Sequence, residues 1–448
     1  MKTDIIRLPN DAFFLKGTKA LVTSAAKISS RQLFDTPRFT PVTVRQGEKD
    51  YEVVPWGRDN DLPRRITQKV YSAEVVASNV QFNIETGYGQ GIMPVKFETD
   101  AKGNRIARPF YENQEITDFF ESNDLNSYLL EQLTDLKIFG NIFPEIILNK
   151  DGTRITNIFS KEATFSRWES QDKEGIIRRH FYSTIWGNRD VANTDITITP
   201  VLDSRNPFAD LQERAKKGER RFIVPVTFPT PGRMYYQMPY WWSIFISGWY
   251  DYLVMIPQYK KKLISELSVI RYHVELSDDY FKQLFNAEHI TDPAEQEART
   301  VKEFENLNNF LSSSENTNKS VISFTSFTPD GKEKPRMKIT KIDDNIKGGE
   351  FIEDSEEAAN IVCYAMGVHP SLIGASPGKN KTINGTEARE LTIAKQAREK
   401  PTRDRLLQPL MLVKKFNNWP SDVYPYIADV NLVTLDKSPN GKQSTVEK

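Results

Sequence analysis

The chain has 448 residues, a length that favours about two or three domains. Its 60 basic residues balance its 60 acidic residues, so no overall charge attracts nucleic acid or a membrane surface. Hydrophobic residues make up 38% of the chain, which is enough for sizeable cores and excludes a wholly disordered protein. One cysteine excludes an internal disulfide, and four scattered histidines give poor support for a zinc enzyme.

The sequence predicts neither a signal peptide nor a membrane span. Its N-terminus mixes charged and apolar residues without an apolar core or a cleavage site. The most apolar window, residues 241–256, carries Asp251 and is shorter than the roughly 20 apolar residues that a membrane helix needs. We therefore expect a buried helix in this window and a protein made in a reducing compartment.

In the first half of the chain, apolar spacing predicts helices that alternate with strands. A helix is expected from Pro63, and another over residues 115–139 that ends at Gly140. A strand should follow directly, and a hairpin turn should come after it at residues 149–152. The predicted strands are Ile142–Leu148, Ile176–Tyr182, Ile196–Leu202 and Phe222–Phe228. The charged segment 203–221 is expected to be a solvated loop, with nucleic-acid contact as the less favoured alternative.

An aromatic stretch follows these strands. Trp241, Phe245, Trp249 and Tyr252 recur every three or four residues, which predicts one face of a single helix that Pro257 kinks. The overlapping aromatic run 235–242 could stack on bases. We favour packing in a core or at a subunit interface.

The second half is predicted to begin with a small α/β module over residues 270–345. Its elements are strands at 270–276, 321–327 and 337–342, and a helix that starts at Asp292-Pro293. An acidic helix should follow, with five acidic residues over 350–357 and an apolar side formed by Ile352, Ala359, Val362 and Met366. A long helix is then expected over 386–417, bent by Pro401 and Pro409.

No catalytic constellation emerges from the motifs. Residues 374–379 resemble a phosphate-binding loop, but only three residues separate its glycines and Asn380 follows the lysine. Cys363 lies in an apolar stretch, which indicates a buried and inert thiol. Adjacent acidic residues such as Asp343 and Asp344 are usual on exposed surfaces and are poor evidence for a metal site. They therefore weaken the hypothesis of a metal-dependent nucleic-acid-processing enzyme without excluding it. The sequence therefore predicts no enzyme, no metal and no cofactor.

The charge balance changes near the C-terminus. Between Thr382 and Lys415, eight basic residues outnumber four acidic ones, and a loop that carries Lys379 and Lys381 precedes this segment. Residues 361–418 resemble the C-terminal part of tailed-bacteriophage portal proteins. The matching motifs are GVHPSLIG at 367–374, with His369 in place of the family's first proline, NGTE at 384–387, QPL at 408–410 and, upstream, DLKIFGNIF at 135–143.

This resemblance implies an α+β subunit of the portal type, with an α/β wing, a two-helix stem, a small α/β clip and a long C-terminal helix. The implied domains are a wing at 1–239, a first stem helix at 240–268, a clip at 269–345, a second stem helix at 346–366, a tunnel loop at 367–384, a wing or crown helix at 385–418 and a C-terminal tail at 419–448. Trp241, Phe245, Trp249 and Tyr252 would pack the stem. The segment 203–221 has no counterpart.

The resemblance also implies a function. The chain would form a ring, usually a dodecamer, at one capsid vertex of a virion, after assembly in the host cytoplasm. Double-stranded DNA would pass through this ring during packaging and ejection, with Lys379, Asn380 and Lys381 facing its backbone without sequence preference. The other implied partners are the major capsid protein, the terminase large subunit, which would supply the ATPase, and the head-tail adaptor. The alternative remains the metal-dependent nucleic-acid-processing enzyme.

Overall fold

The chain folds as two compact units, Met1–Val254 with Ile352–Lys448 and Met255–Phe351. A computed structural model describes residues 5–8, 12–15, 20–23, 41–46, 49–101, 103, 105–187, 196–267, 272–276, 279–312, 325–327, 333–335, 337–341, 352–373, 385–430, 436–437 and 443–444. No helix in these ranges is long and apolar enough to cross a membrane.

The α-helices of the described ranges are α1 (Leu62–Tyr71), α2 (Glu74–Tyr88), α3 (Gln114–Ser122), α4 (Leu125–Phe139), α5 (Pro207–Lys216), α6 (Ser243–Ser247), α7 (Trp249–Leu267), α8 (Tyr280–Ala287), α9 (Pro293–Ser312), α10 (Ile352–Ala365), α11 (Gly385–Leu406) and α12 (Gln408–Phe416). Helix α7 continues past Pro257, and the predicted C-terminal helix is divided into α11 and α12 just before Pro409.

The strands of the described ranges are β1 (Ile5–Leu8), β2 (Ala12–Leu15), β3 (Ala20–Thr23), β4 (Val42–Gln46), β5 (Lys49–Val53), β6 (Ile92–Thr99), β7 (Arg105–Pro109), β8 (Asn141–Leu148), β9 (Ile155–Lys161), β10 (Ser166–Trp168), β11 (Arg179–Tyr182), β12 (Thr197–Pro200), β13 (Arg221–Ile223), β14 (Val226–Thr227), β15 (Tyr272–Leu276), β16 (Thr325–Phe327), β17 (Glu333–Pro335), β18 (Met337–Lys341), β19 (Val423–Ile427), β20 (Asp436–Lys437) and β21 (Gln443–Ser444). Their pairing is antiparallel throughout, which together with the helices confirms the predicted α+β class.

The central element of the first unit is the pair α4–β8. Helix α4 ends at Gly140, whose φ of +72° is left-handed and whose N–H donates to the carbonyl of Leu136 at 2.8 Å. Strand β8 starts at once and pairs with β9, β13 and β14. This confirms the predicted helix-to-strand element. The predicted helix 115–139 is two helices, because Asp124 has a positive φ and caps α4 by accepting from the N–H of Ser127.

The expectation of a solvated loop over residues 203–221 is wrong. Asn206 caps α5 there, and the helix buries Leu211 and Ala215 on one face. Arg214 pairs with Glu219 at 2.5 Å, so part of the segment's charge is neutralised locally. The sequence interpretation counted the charges and overlooked two apolar residues four positions apart, which is one helical turn.

The expectation of a tail from residue 419 is also wrong for its first part. Strand β19 pairs with β6, with Val423 opposite Lys96 and Ile427 opposite Ile92. Trp419 packs edge-on against Phe119, with 5.5 Å between the ring centroids. The polar composition of the chain's end gave no sign of this strand. Its partner strand lies more than 300 residues earlier in the chain.

The second unit combines strands and helices, as predicted for this part of the chain. Strand β15 pairs with β18, and β16 pairs with β17. Arg299 of α9 forms ion pairs with Glu288 at 2.7 Å and with Glu303 at 2.8 Å. Phe281 of α8 meets Phe304 of α9 with 5.5 Å between ring centroids, so an aromatic contact and an ion-pair network join the helices.

His180 of β11 lies in the core of the first unit with no exposed surface. Neither ring nitrogen has a hydrogen-bond partner in the described structure, and the ring packs on Phe143 and Trp168. Burial, with Lys161 and Arg167 nearby, lowers its pKa to about 3. The folded protein therefore holds this imidazole neutral at pH values where the unfolded chain protonates it.

We expect this histidine to make stability depend on pH. Between about pH 6.5 and pH 3 only the unfolded state takes up the proton, so stability falls as the pH falls, by about 2 kcal/mol between pH 7 and pH 5 from this group. Urea unfolding at both pH values should show a smaller loss for His180→Leu than for the wild type. His369→Gln, at an exposed histidine, is the control. Equal losses in the wild type and His180→Leu would contradict this assignment.

Candidate functional site

The structure describes the two ends of the predicted tunnel loop. Helix α10 leads into Gly367, a short 3₁₀ helix spans Pro370–Leu372, and α11 begins at Gly385. Residues 374–384 lie outside the described residues, and with them Lys379, Asn380 and Lys381. Their role stays a prediction. We call the surroundings of the two ends, formed by α2, α4, α6, α10 and α11, the loop junction.

Helix α10 packs an apolar side against α2. Ala359, Val362 and Met366 are buried as predicted, whereas Ile352 is 41% exposed because it begins the helix. Cys363 is buried, and this burial raises the pKa of its thiol. The structure therefore confirms the predicted inert thiol, since a nucleophilic cysteine needs a lowered pKa and access to solvent.

A buried polar network joins α2, α4 and α11. Lys137 and Lys395 contact the carboxylate of Glu399 at 2.5 Å and 3.4 Å. Lys395 also donates to the side-chain oxygen of Asn83, and Asn83 donates to the backbone carbonyl of Met366 at 3.2 Å. Through these contacts the last turn of α10 and the middle of α11 share one set of hydrogen bonds. We call Asn83, Lys137, Lys395, Glu399 and Arg403 the polar spine.

Arg403 extends the polar spine by one more turn of α11. Its guanidinium donates to the backbone carbonyls of Thr86 at 2.8 Å and Gly87 at 3.1 Å, and it pairs with Asp429. The charge is thus placed at the C-terminal end of α2, where the helix dipole favours a cation.

Part of the basic surplus of the C-terminal segment is therefore internal. Lys395, Arg403 and Lys414 are at most 9% exposed. Burial lowers the pKa of Lys395 even though Glu399 opposes the shift. The sequence analysis counted Lys395, Arg403, Lys414 and Glu399 in the charge balance of the segment without predicting their burial, and it did not single out Asn83 or Lys137. The i,i+4 spacing of Lys395 and Glu399 was the available signal.

The predicted stem residues lie at the same junction but not on one helix. Trp241 lies in a 3₁₀ turn, Phe245 lies in α6, and Trp249 and Tyr252 lie in α7. The break is Gly248, whose φ of +90° is left-handed, so the prediction of one continuous helix is wrong. The aromatic residues keep a helical spacing on both sides of Gly248, so the spacing alone did not indicate that the helix ends there.

These four aromatic side chains divide into two pairs. Trp241 and Phe245 are buried, with 5.6 Å between ring centroids, and the indole N–H of Trp241 donates to the carbonyl of Lys137 at 2.8 Å. Trp249 and Tyr252 form an edge-on pair at 5.8 Å and are only partly buried. Tyr252 shares a side-chain hydrogen bond with Asp354, which links α7 to α10.

Exposed apolar side chains border the loop junction. Tyr364 of α10 is 86% exposed and Tyr240 is 79% exposed, and both line one cleft; Ile246 and Tyr252 are 41% and 37% exposed. Exposed apolar surface that is contiguous often marks a site of interaction with another protein.

Comparison with known proteins finds structural similarity alone. No protein-family model and no curated protein matches this sequence. Three solved structures that match come from gene transfer agent particles. The neck of an empty particle with C6 symmetry matches with a TM-score of 0.51 and 13% identity over 82% of this chain and 84% of that chain. The virion of a native particle matches with a TM-score of 0.52 and 13% identity over 85% and 86%.

The third is the neck of a native particle with C12 symmetry, with a TM-score of 0.51 and 13% identity over 84% of this chain and 86% of that chain. This chain shares the fold of these particle proteins. The similarity covers more than four fifths of both chains, so it confirms the fold class that the resemblance implied.

The polar spine gives a test of what holds the loop junction together. In Glu399→Gln, two lysines lose their carboxylate in a buried site, so we expect a loss of about 3–5 kcal/mol in the free energy of unfolding. Asp404→Asn removes an exposed carboxylate that pairs with Lys400 on the same helix and should change stability far less. Urea unfolding of both variants measures the difference. Similar losses would show that the buried pairing contributes little.

Proposed function

We propose that this protein is a portal subunit, which forms the ring through which double-stranded DNA enters and leaves a phage-like particle. The observation that carries the proposal is the similarity in fold, over more than four fifths of both chains, to proteins of gene transfer agent necks and virions. The portal-like motifs at 135–143 and 367–410 support the proposal independently, because they are features of the sequence and do not depend on the similarity in fold.

The exposed aromatic side chains at the loop junction support self-assembly. Tyr240 and Tyr364 would be covered if neighbouring copies packed side by side in a ring. A dodecamer matches the symmetry of one similar neck. In a ring, each subunit's α10 would contribute its acidic first turns, with Glu353 and Asp354, at one level.

The loop 367–384 is proposed to face DNA in that ring. Lys379 and Lys381 from all copies would form a belt of positive charge, and screening over about 8–10 Å at cellular salt would confine its field to nearby phosphates. Such contacts reach only the backbone and give no sequence preference. The polar spine supports this role, because it joins Met366, just before the loop, to the middle of α11, the helix that follows the loop.

The partners in this proposal are the major capsid protein, the terminase large subunit and a head-tail adaptor, with the ring at one capsid vertex. The competing function is a metal-dependent nucleic-acid-processing enzyme. That enzyme would need clustered metal ligands, and no group of three such residues could hold a metal within the described ranges. Native mass measurement with negative-stain imaging separates the two. Rings without nucleotide support the portal, whereas a monomer that cleaves DNA with Mg²⁺ overturns it.

The first variant tests the loop. Lys379→Ala with Lys381→Ala should leave rings intact and reduce DNA packaging or retention, because the belt of positive charge is removed. DNA content of assembled particles measures the effect. Lys150→Ala with Lys216→Ala, at two exposed lysines elsewhere in the first unit, removes the same charge and should package normally. Loss of ring assembly in the loop variant would instead make these lysines structural.

The second variant tests the stem. Trp249→Asp places a charge in a partly buried aromatic pair and should block ring assembly, since burying an unpaired charge is costly. Size-exclusion chromatography with light scattering measures the oligomer. Tyr111→Asp, at an exposed side chain far from the aromatic stretch in sequence, should still form rings. Normal rings from Trp249→Asp would show that this face takes no part in assembly.

A further inference from the structure

A cleft of about 870 Å³ lies between α5, α12 and β19 in the first unit. No Asp or Glu is among its lining residues, although acidic and basic residues are equally common in the whole chain. The lining residues that carry the argument are Arg205, Arg405, Lys414, Lys415, Met411 and Trp419. We call this feature the basic cleft. Its first wall belongs to the segment 203–221, to which neither the portal resemblance nor the proposed function assigns a role.

Most of the positive charge in the basic cleft is not neutralised. The side chains of Arg205, Arg405 and Lys415 form no ion pair with any carboxylate of the described chain. The guanidinium of Arg205 donates to the backbone carbonyl of Glu174 at 2.6 Å, and its backbone N–H donates to the carboxylate of Asp203 at 2.9 Å. Lys414 is buried and donates to the backbone carbonyl of Ser421 at 2.8 Å. Three cations thus converge without a counter-charge, and this arrangement attracts an anionic ligand.

The acidic residues close to these cations in sequence lie outside the lining of the basic cleft. Asp404 pairs with Lys400 at 2.6 Å. Asp422 pairs with Lys96 at 3.1 Å while also attracting the buried Lys414. The indole N–H of Trp419 is a further donor that finds no acceptor among the described residues. The walls of the cleft therefore offer donors and positive charge in excess.

The aromatic residues of the basic cleft are unsuited to stacking on nucleic-acid bases. Lys414 lies 3.5 Å from the ring centroid of Tyr424, and Lys415 lies 4.0 Å from that of Phe208. Trp419 already packs against two phenylalanines. Single-strand binding needs open ring faces on which bases stack. Here the rings support the lysines instead.

The remaining lining is apolar and suits a side chain rather than a phosphate backbone. Met411 is 40% exposed, and Pro225 and Leu412 line the cleft beside it. Methionine is unbranched and adapts to the shape of a bound apolar group. An apolar floor flanked by cations fits a peptide in which carboxylates alternate with an apolar residue.

We propose that the basic cleft is a docking site for an acidic peptide segment of a partner protein. Its carboxylates would pair with Arg405, Lys415 and Arg205, and an apolar side chain between them would pack on Met411. Bidentate arginine–carboxylate pairing would give orientation as well as affinity. This proposal stands on the cleft alone and does not require that the protein forms a portal ring.

The test uses the full chain and a fluorescein-labelled peptide of eight residues in which glutamate and leucine alternate. Fluorescence anisotropy should show binding that weakens with added salt, and the same peptide with glutamine for glutamate should not bind. Arg405→Glu with Lys415→Glu should weaken binding by about tenfold or more, because paired charges are reversed. Lys150→Glu with Lys216→Glu changes the same total charge outside the cleft and should keep the affinity.

Each other outcome counts against the proposal. Binding of the glutamine peptide with equal affinity, or equal weakening in both charge-reversal variants, would show non-specific attraction. Tighter binding of a twelve-nucleotide thymidine strand that is lost in the cleft variant would assign the surface to nucleic acid. If that variant does not fold, a benzophenone-bearing acidic peptide on the wild-type protein decides. Cross-links at Met411 or Trp419 support the cleft, and cross-links confined to other surfaces overturn it.

Discussion

The pairing of Glu399 with Lys137 and Lys395 is the interaction on which the arrangement of the first unit depends. A carboxylate that is 3% exposed needs opposite charge close by, since an unpaired buried ion costs several kcal/mol. Its partners come from α4 and from its own helix, and Lys137 and Glu399 are 262 positions apart in the chain. This requirement fixes α11 against α4, and Asn83 and Arg403 extend the same constraint to α2.

The described residues on either side of 374–384 depend on this constraint. Met366, just before the loop 367–384, is tied to Asn83, and α11, which follows the loop, is tied to the polar spine. A segment with both ends held can place charge at a defined level of an assembly. That is the requirement of the proposed role, in which identical loops from all copies must present their lysines at the same height along DNA. The acidic turns of α10 lie on the same framework, so opposite charges would be kept at separate levels.

Two chains can share a fold at 13% identity because a fold depends on where apolar and buried polar groups lie rather than on which residues supply them. Surface features are free to differ between chains of one fold. Helix α5 and the basic cleft have no part in the proposed ring function, and we infer that such surface features determine which partner a particular subunit accepts. Buried basic residues such as Lys395 stabilise the fold. Exposed basic residues such as Lys415 are available to bind a partner.

The sequence by itself determined the local elements. The apolar spacing of α4, the left-handed glycine that ends it and the apolar run of β8 are properties of neighbouring residues, so they were predicted correctly, as was the buried thiol of Cys363.

Only the tertiary structure decided the rest. Leu211 makes α5 a helix because a distant core covers it, and β19 forms because β6 offers it an edge. Trp241 and Trp249 share a helical period that Gly248 interrupts, and the charge of Glu399 is buried because Lys137 meets it. These outcomes depend on contacts between residues far apart in the chain, and a pattern of neighbouring residues carries no record of such contacts.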